Sequence, residues 1–381
     1  MDSTEKNVSF INSNLFFKEF SFSRNNFTSK DGKQLQLADN VIWLDNIFFI
    51  YQIKERNLLA TGSEEKWFKN KILKKAKNQI KGTLKYFDEN KKIIIENERG
   101  HKLNVSEAEV SVVKKIIIYN STSSLNEQLR FLKFYRSKSI QLIHLFHLED
   151  YEAVCNFLHT PAEILEYLSF REELYKKHEQ ELNLLPEQYV LGHFLETSQT
   201  EKIVLDYLKN LKKFENNISD FDVSFIIENF KNRIIKVGKD DDYYKIIKQI
   251  AMLDRAELKE FKLRFDFSLK KAESQTFTVP YRMTSVNTGC GFVFIPMLLE
   301  DFGFWEDALS NLTRGHKYEH KLKKCIGMIV CYNPKDKYYD INWCYIEYDW
   351  VVEEDVEKLL KDSYPFRKTT FKGSNRYKLD D

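Results

Sequence analysis

The most chemically loaded pattern in this 381-residue chain is short: Asp39, then twelve residues, then Gln52-Ile53-Lys54. Gln34 to Leu44 and Ile47 to Lys54 read as two strands, rich in β-branched and aromatic residues. Asp45-Asn46 between them tolerates positive φ and suits a tight hairpin turn. A two-residue turn there sets Trp43 opposite Phe48, Val41 opposite Ile50, Asp39 opposite Gln52 and Leu37 opposite Lys54. Opposed residues share a sheet face, and Gln52 and Lys54, two apart, point the same way. A carboxylate, an amide and an ammonium thus gather at the end of an apolar face, where unpaired polar groups cost several kcal/mol. A divalent cation would offset that cost. Mg²⁺ takes oxygen ligands and keeps several waters; Asp39 supplies an anionic oxygen, Gln52 a neutral one and the backbone carbonyl of Ile53 a third. Lys54 beside it would orient an attacking water and offset charge developing on a phosphate. A salt-bridged sheet edge without metal is the plainer alternative.

Leu37-Ala38-Asp39 followed by Gln52-Ile53-Lys54 resembles the motif of the PD-(D/E)XK phosphodiesterase superfamily, in the variant whose second acid is Gln. That form looks like the nuclease core of Mrr-type restriction enzymes and nuclease-related domains. The resemblance covers about the first 120 residues, and the expected order agrees: a helix, three strands with the motif on the second and third, a helix, another strand. It implies an α/β fold with a restriction-endonuclease-like αβββαβ core and Mg²⁺ or Mn²⁺ as cofactor. The implied activity is metal-dependent hydrolysis of phosphodiesters, in DNA before RNA, within bacterial antiviral defence or DNA processing. Members often add a metal-ligating Glu from the first helix; Glu19, near the end of an expected helix from Asn12 to Phe20, is the residue available. A catalytically inactive relative that only binds nucleic acid or a protein partner is the alternative reading.

Downstream of the motif, Lys66 to Phe87 reads as one helix, because Phe68, Ile72, Leu73, Ala76, Ile80, Leu84 and Phe87 keep helical spacing. It carries eight lysines, at 66, 69, 71, 74, 75, 77, 81 and 85, and no acid. Surface helices usually balance such charge with Glu–Lys pairs four residues apart. Lys71, Lys74, Lys75 and Lys77 are therefore expected at nucleic-acid phosphates, where they give sequence-independent, salt-sensitive affinity. Gln79, near the apolar face, is placed to reach the site. A solvated helix face is the alternative for any single lysine.

The rest of the chain offers less chemistry. Lys+Arg 59 against Asp+Glu 57 gives +2, so the chain as a whole is no basic coat protein or acidic tail. No apolar run approaches the roughly 18 residues that span a bilayer, and the amino terminus lacks a basic stretch followed by an apolar one, so no signal peptide is expected. The five cysteines are dispersed and never spaced C-x-x-C, which argues against a disulfide framework or a four-cysteine zinc site and for a cytoplasmic protein with reduced thiols. His316 and His320, with Cys325 nearby, have zinc-compatible spacing but lack a fourth ligand and read as exposed polar residues. His144 and His147 read as ordinary hydrogen-bonding groups. Asn287 to Gly291 reads as a turn, not a phosphate loop, and Asp240-Asp241-Asp242 as a helix cap.

These features suggest three regions: a nuclease-like α/β domain over 1–150, a helical region over 151–265 and an α/β region over 266–381. Thr160-Pro161-Ala162-Glu163 and Asp254-Arg255-Ala256-Glu257 are capping boxes. Ile203 to Phe214 and Val223 to Val237 read as amphipathic helices, and Cys325–Tyr332 with Tyr338–Tyr348 as a hairpin. The aromatic face of that hairpin (Trp343, Tyr345, Tyr348 and the nearby Trp350) belongs to a packed core or to the interface of a homo-oligomer or protein partner.

Overall fold

A computed structural model of the chain describes residues 3–57, 59, 61–214, 218–233, 243–362, 364–367 and 377. The chain forms two compact α/β units, 1–216 with 377–381 and 217–376. The helical stretch expected at 151–265 is not a unit of its own; it is divided between the two.

The first unit opens with α1 (Ser3–Leu15), earlier than the helix expected at 12–20. Four short strands follow: β1 (Ser21–Phe22), β2 (Asn26–Thr28), β3 (Gln34–Gln36) and β4 (Asn40–Leu44). Next come β5 (Ile47–Glu55) and a long helix built from α2 (Glu64–Trp67), a π-helical run Phe68–Ala76 and α3 (Lys77–Glu89). The hairpin β6 (Ile94–Glu96) and β7 (Lys102–Asn104) precedes β8 (Lys114–Asn120), α4 (Glu127–Arg130), β9 (Phe134–Ser137) and β10 (Gln141–His147). The main sheet runs β1-β4-β5-β8-β10-β9. Its first two pairings are antiparallel, β5–β8 and β8–β10 are parallel, and β10–β9 is antiparallel. The turn forms as the sequence suggests: Asp45 takes a φ of 52°, and the ladder runs from Leu44↔Ile47 to Asn40↔Tyr51.

Alternation along β5 divides the work between its faces. Phe48 and Ile50 bury with Val41 against Phe68, Ile72, Ala76 and Ile80 of the long helix. Phe49 and Tyr51 turn the other way, edge-on to Phe16 and to Tyr151. Each such fully buried side chain contributes about 1.5–3 kcal/mol, which pins the register. Where the sequence suggests an unbroken α-helix from 66, the helix starts at the Ser63 cap and bonds i→i+5 through nine residues.

The unit continues through α5 (Leu148–Phe157), α6 (Pro161–Leu182), α7 (Glu187–Glu196) and α8 (Asn210–Lys213). Thr160 caps α6 as expected, accepting from Glu163 N at 3.1 Å. The amphipathic helix expected at 203–214 is a 3₁₀ turn, Leu205–Lys209, running into α8. A buried ionic network fixes α6 and α7 to the sheet. Arg171, fully buried, donates to Glu187 Oε1 (2.7 Å) and Oε2 (3.1 Å), and to the carbonyls of Lys133 (2.9 Å) and Leu145 (2.8 Å). Tyr167 adds a hydroxyl to Glu187 at 2.6 Å. Burial would raise the Glu187 carboxyl, but Arg171 and Lys133 hold it down at about 2. This network is why the unit does not end near residue 150.

In the second unit, α9 (Ser224–Arg233), α10 (Tyr244–Ala251) and α11 (Arg255–Glu273) precede a four-stranded sheet. Asp254 caps α11, accepting from Glu257 N at 2.9 Å. The sheet is β11 (Tyr281–Thr284), β12 (Cys290–Met297), β13 (Lys324–Asn333) and β14 (Tyr338–Glu347), in that order. Helix α12 (Trp305–Glu319) crosses between the parallel pair β12–β13, and α13 (Glu354–Asp362) follows β14. The expected β13–β14 hairpin is present, from Lys324↔Glu347 to Asn333↔Tyr338. Gly327 of β13 admits α12, since a Cβ there would lie 2.0 Å from Thr313 Oγ1. Trp343 stacks on Phe261 and Phe265, and Trp350 Nε1 donates to Tyr318 O at 3.1 Å, so these rings pack within the unit. The stretch 234–242, with the end of the helix expected at Val223 to Val237 and the Asp240-Asp241-Asp242 cap, lies outside the described residues. No helix among the described residues is long and apolar enough to cross a membrane.

Candidate functional site

Asp39 sits where the expected strand Gln34–Leu44 breaks in two. β3 pairs with β2, and Leu37-Ala38 leave the ladder between β3 and β4. Buried Asn25 takes them over: Leu37 N donates to its carbonyl and Ala38 N to its Oδ1, both at 3.1 Å. Thr83 Oγ1, on α3, donates to Leu37 O. Leu37 therefore packs in the core and never comes opposite Lys54. Asp39 keeps one bond to the ladder, its N donating to Tyr51 O at 3.2 Å.

From this position Asp39 meets the residues the sequence groups with it. Asp39 Oδ2 accepts from Ile53 N at 2.7 Å and from Lys54 Nζ at 2.9 Å. The same ammonium donates to Gln52 Oε1 at 3.3 Å and to Ile53 O at 2.7 Å. Lys54 has three N–H donors, and all three are used. The Asp39 and Lys54 side chains are each 15% exposed, and Gln52 is buried. The three oxygens expected to ligate a metal thus converge on one cationic centre, the lysine's own. One carboxylate, one amide and one carbonyl form a hard oxygen set of the kind Mg²⁺ accepts with waters completing its shell. Among the described residues, no group of three or more His, Cys, Asp or Glu is assembled as a metal cluster.

Asp39 opens onto two cavities. The first, about 530 Å³, is lined by Gln36 to Asp39 and, from the long helix, Asn70, Lys74, Lys75, Asn78, Gln79, Gly82, Thr83 and Tyr86. Gln79 lines this groove too, and its buried Oε1 has no hydrogen-bond partner among the described residues. Lys74 and Lys75 line the groove and are exposed; Lys71 and Lys77 do not line it. The π-helical run carries Asn70, Lys74 and Lys75 to this wall, and such runs recur at functional sites. Of the eight lysines, only Lys69 and Lys85 have carboxylates within 4 Å among the described residues, both four residues along the helix.

The second cavity, about 390 Å³, is lined by Asp39 with Glu5, Ser23, Arg24, Asn25, Asn26 and Gln36. Glu19 lines neither cavity. It lies in the turn after α1, fully buried, its Oε1 accepting from Arg99 Nε at 2.7 Å and its backbone carbonyl from Asn97 Nδ2 at 2.8 Å. The first-helix acid beside Asp39 is instead Glu5, missed because the helix begins nine residues earlier than its sequence suggests. An acid in the first turn of α1 is the signal that points to it.

The remaining histidines have structural partners. His144, fully buried, has Nε2 2.9 Å from Glu172 and Nδ1 3.3 Å from Arg171, which fits a neutral ring donating to Glu172; burial lowers its pKa to about 4. His147 lies buried beside Tyr119. His316 is not exposed as expected: it is buried in α12 with Nε2 3.1 Å from Met283 O, and burial lowers it to about 3. All five cysteines are free thiols.

No protein family, curated protein or solved structure matches this chain.

Proposed function

We propose that the first unit is a metal-dependent nuclease of the PD-(D/E)XK, restriction-endonuclease-like type in its Gln-x-Lys form, cutting DNA in preference to RNA. The observation that carries the reading is the convergence of Asp39 Oδ2, Gln52 Oε1 and Ile53 O within hydrogen-bonding distance of Lys54 Nζ, beside a groove bearing Lys74 and Lys75. The sheet order β1-β4-β5-β8, with the long helix crossing between parallel β5 and β8, supports it. Asp39, Gln52 and the Ile53 carbonyl would hold Mg²⁺ or Mn²⁺, and Glu5 replaces Glu19 as the candidate second acid. The ion, when bound, supplies Lewis acidity toward a phosphoryl oxygen and a more acidic water. Lys54 then leaves the oxygen cluster and sets its positive charge against the scissile phosphate and the attacking water. Lys74 and Lys75 bind the flanking phosphates.

The second reading, a nuclease-like binding module that does not cut, draws on Lys54 already donating to the same three oxygens. The test is cleavage of labelled DNA and RNA by the purified full chain with Mg²⁺, Mn²⁺ or EDTA. Cleavage that needs metal and disappears in folded Asp39→Ala and Lys54→Ala supports the nuclease. Nucleic-acid binding without cleavage under any metal selects the binding module, and metal-independent cleavage or full activity in Asp39→Ala overturns the assigned site.

A further inference from the structure

The two cavities that meet at Asp39 belong to a longer series. A third, about 630 Å³, lies between the two small hairpins β2–β3 and β6–β7, its polar lining supplied by Arg24, Asn26, Thr28, Gln34, Lys92, Lys102 and one acid, Glu96. Adjacent cavities share walls. Gln36 and Asp39 line both the first and the second, while Arg24 and Asn26 line both the second and the third. Through these shared residues the three cavities form a series, from Lys92 and Lys102, past Arg24 and Asp39, to Lys74 and Lys75.

The charges along this path are unspent. Arg24, Lys92 and Lys102 are exposed, and no ion pair among the described residues engages them or Lys74 and Lys75. Lys102 sits directly across the ladder from Glu96 without pairing with it. Between the cations stand neutral hydrogen-bonding side chains, Asn26, Thr28, Gln34 and Gln36 on one side of Asp39 and Asn70, Asn78 and Gln79 on the other, with the carboxylates of Glu96 and Glu5 also in the lining, so that five cations face three acids. Cations alternating with neutral donors and acceptors suit a polyanion whose charges recur along its length and whose bases offer polar edges. Each cavity has the size of a small-ligand site, about 300–1,000 Å³, which is room for a nucleotide of a single strand.

We propose that this path is a track for a single nucleic-acid strand that passes over Asp39, with Arg24, Lys92 and Lys102 holding the arm that the basic helix does not reach. The proposal rests on the nuclease-like reading of the site for its substrate class but not on cleavage. Single-strand grooves of this kind engage about 4 to 16 nucleotides. Only a longer strand can therefore occupy both arms.

The test is fluorescence anisotropy with labelled oligothymidylates of about 4 and about 16 nucleotides, in EDTA so that cutting plays no part. The full chain is compared with Arg24→Ala/Lys92→Ala/Lys102→Ala and with Lys74→Ala/Lys75→Ala. The changed side chains are exposed, and circular dichroism confirms folding. Loss of the far arm should weaken the longer strand by tenfold or more and reduce the slope of log affinity against log salt by up to about 2, at roughly 0.7 per phosphate contact. The shorter strand should lose less. A triple variant that binds the longer strand with wild-type affinity and salt slope overturns the track, as does tighter binding of duplex than of single strand. Cleavage assayed separately distinguishes the two failures: cutting with an unaffected triple variant leaves the nuclease and removes the track, and weakened binding without cutting does the reverse.

Discussion

Replacing Lys54 by Met keeps most of its aliphatic volume and removes its charge. The wild-type ammonium makes three hydrogen bonds of 2.7–3.3 Å to Asp39, Ile53 and Gln52. Breaking one partner of a fully buried ion pair costs about 3–5 kcal/mol, and an exposed pair is worth about 0–1 kcal/mol. With both side chains 15% exposed, a loss of about 2 kcal/mol lies between these limits. For a unit of this size that lowers Tm by about 4–8 °C in metal-free buffer. The same 2 kcal/mol is what a divalent cation must overcome to take the three oxygens from Lys54, so Lys54→Met should bind Mg²⁺ roughly 30-fold more tightly than wild type. At Mg²⁺ near 100 times its Kd, the gain of about 2.7 kcal/mol should erase the Tm deficit, while the cleavage proposed for the wild type should be lost. Isothermal titration calorimetry and thermal melts at stepped Mg²⁺ read both effects. Equal or weaker Mg²⁺ binding by Lys54→Met would refute the idea that lysine and metal compete for one position.

Three further outcomes follow from the geometry. Glu19→Gln should destabilise the first unit by about 3 kcal/mol by removing the charge that faces buried Arg99, whereas Glu5→Gln should cost less stability and raise the Mg²⁺ concentration that cleavage requires by about tenfold or more; melts and metal titrations of the two variants separate the roles. Acid should unfold the first unit in two steps: a His lowered to about 4 by burial takes its proton in the unfolded state first, so His144 removes stability as pH falls from about 6.5 to about 4. Glu172 and Glu187, held at about 2 by their cationic partners against the effect of burial, lose theirs from about 4.5 downward, and melts of His144→Asn should lack the upper step. In the second unit, Gly327→Ala drives a Cβ into Thr313 Oγ1 and Leu309 and should cost at least about 1–3 kcal/mol, partly recovered by Thr313→Ala in a double-variant melt.

What the sequence made legible were the features written in neighbouring residues. Asp45-Asn46 and the flanking apolar residues specify the hairpin register, and the register brings Asp39 to Gln52 and Lys54. Thr160 and Asp254 mark helix starts through side chains bonding three residues along. The misses depend on partners distant in the chain. Nothing near Leu37 announces that Asn25 and Thr83 will pull it off the ladder. Nothing near Glu19 announces Arg99. Residue 150 reads as a boundary because composition changes there, yet Arg171 is committed to carbonyls of Lys133 and Leu145 and so draws α6 and α7 into the first unit.

The π-helical run from Phe68 to Ala76 sets a phase relation between the two ends of the long helix. An α-helix advances about 100° per residue, while i→i+5 bonding winds more residues into each turn. Upstream, Trp67 and Phe68 are fixed in the core; downstream, Asn78, Gln79 and Thr83 face Asp39. The surplus residues in the run are what let both ends be in register at once. Returning the whole run to α bonding at unchanged length would leave composition and charge untouched, yet wind the chain further at each residue and turn everything after it by on the order of a quarter of a revolution or more. The lysines would then look away from the groove and Gln79 into the core. The match between residue number and winding across 68–76, more than the identity of any one lysine in it, is what this helix has to conserve.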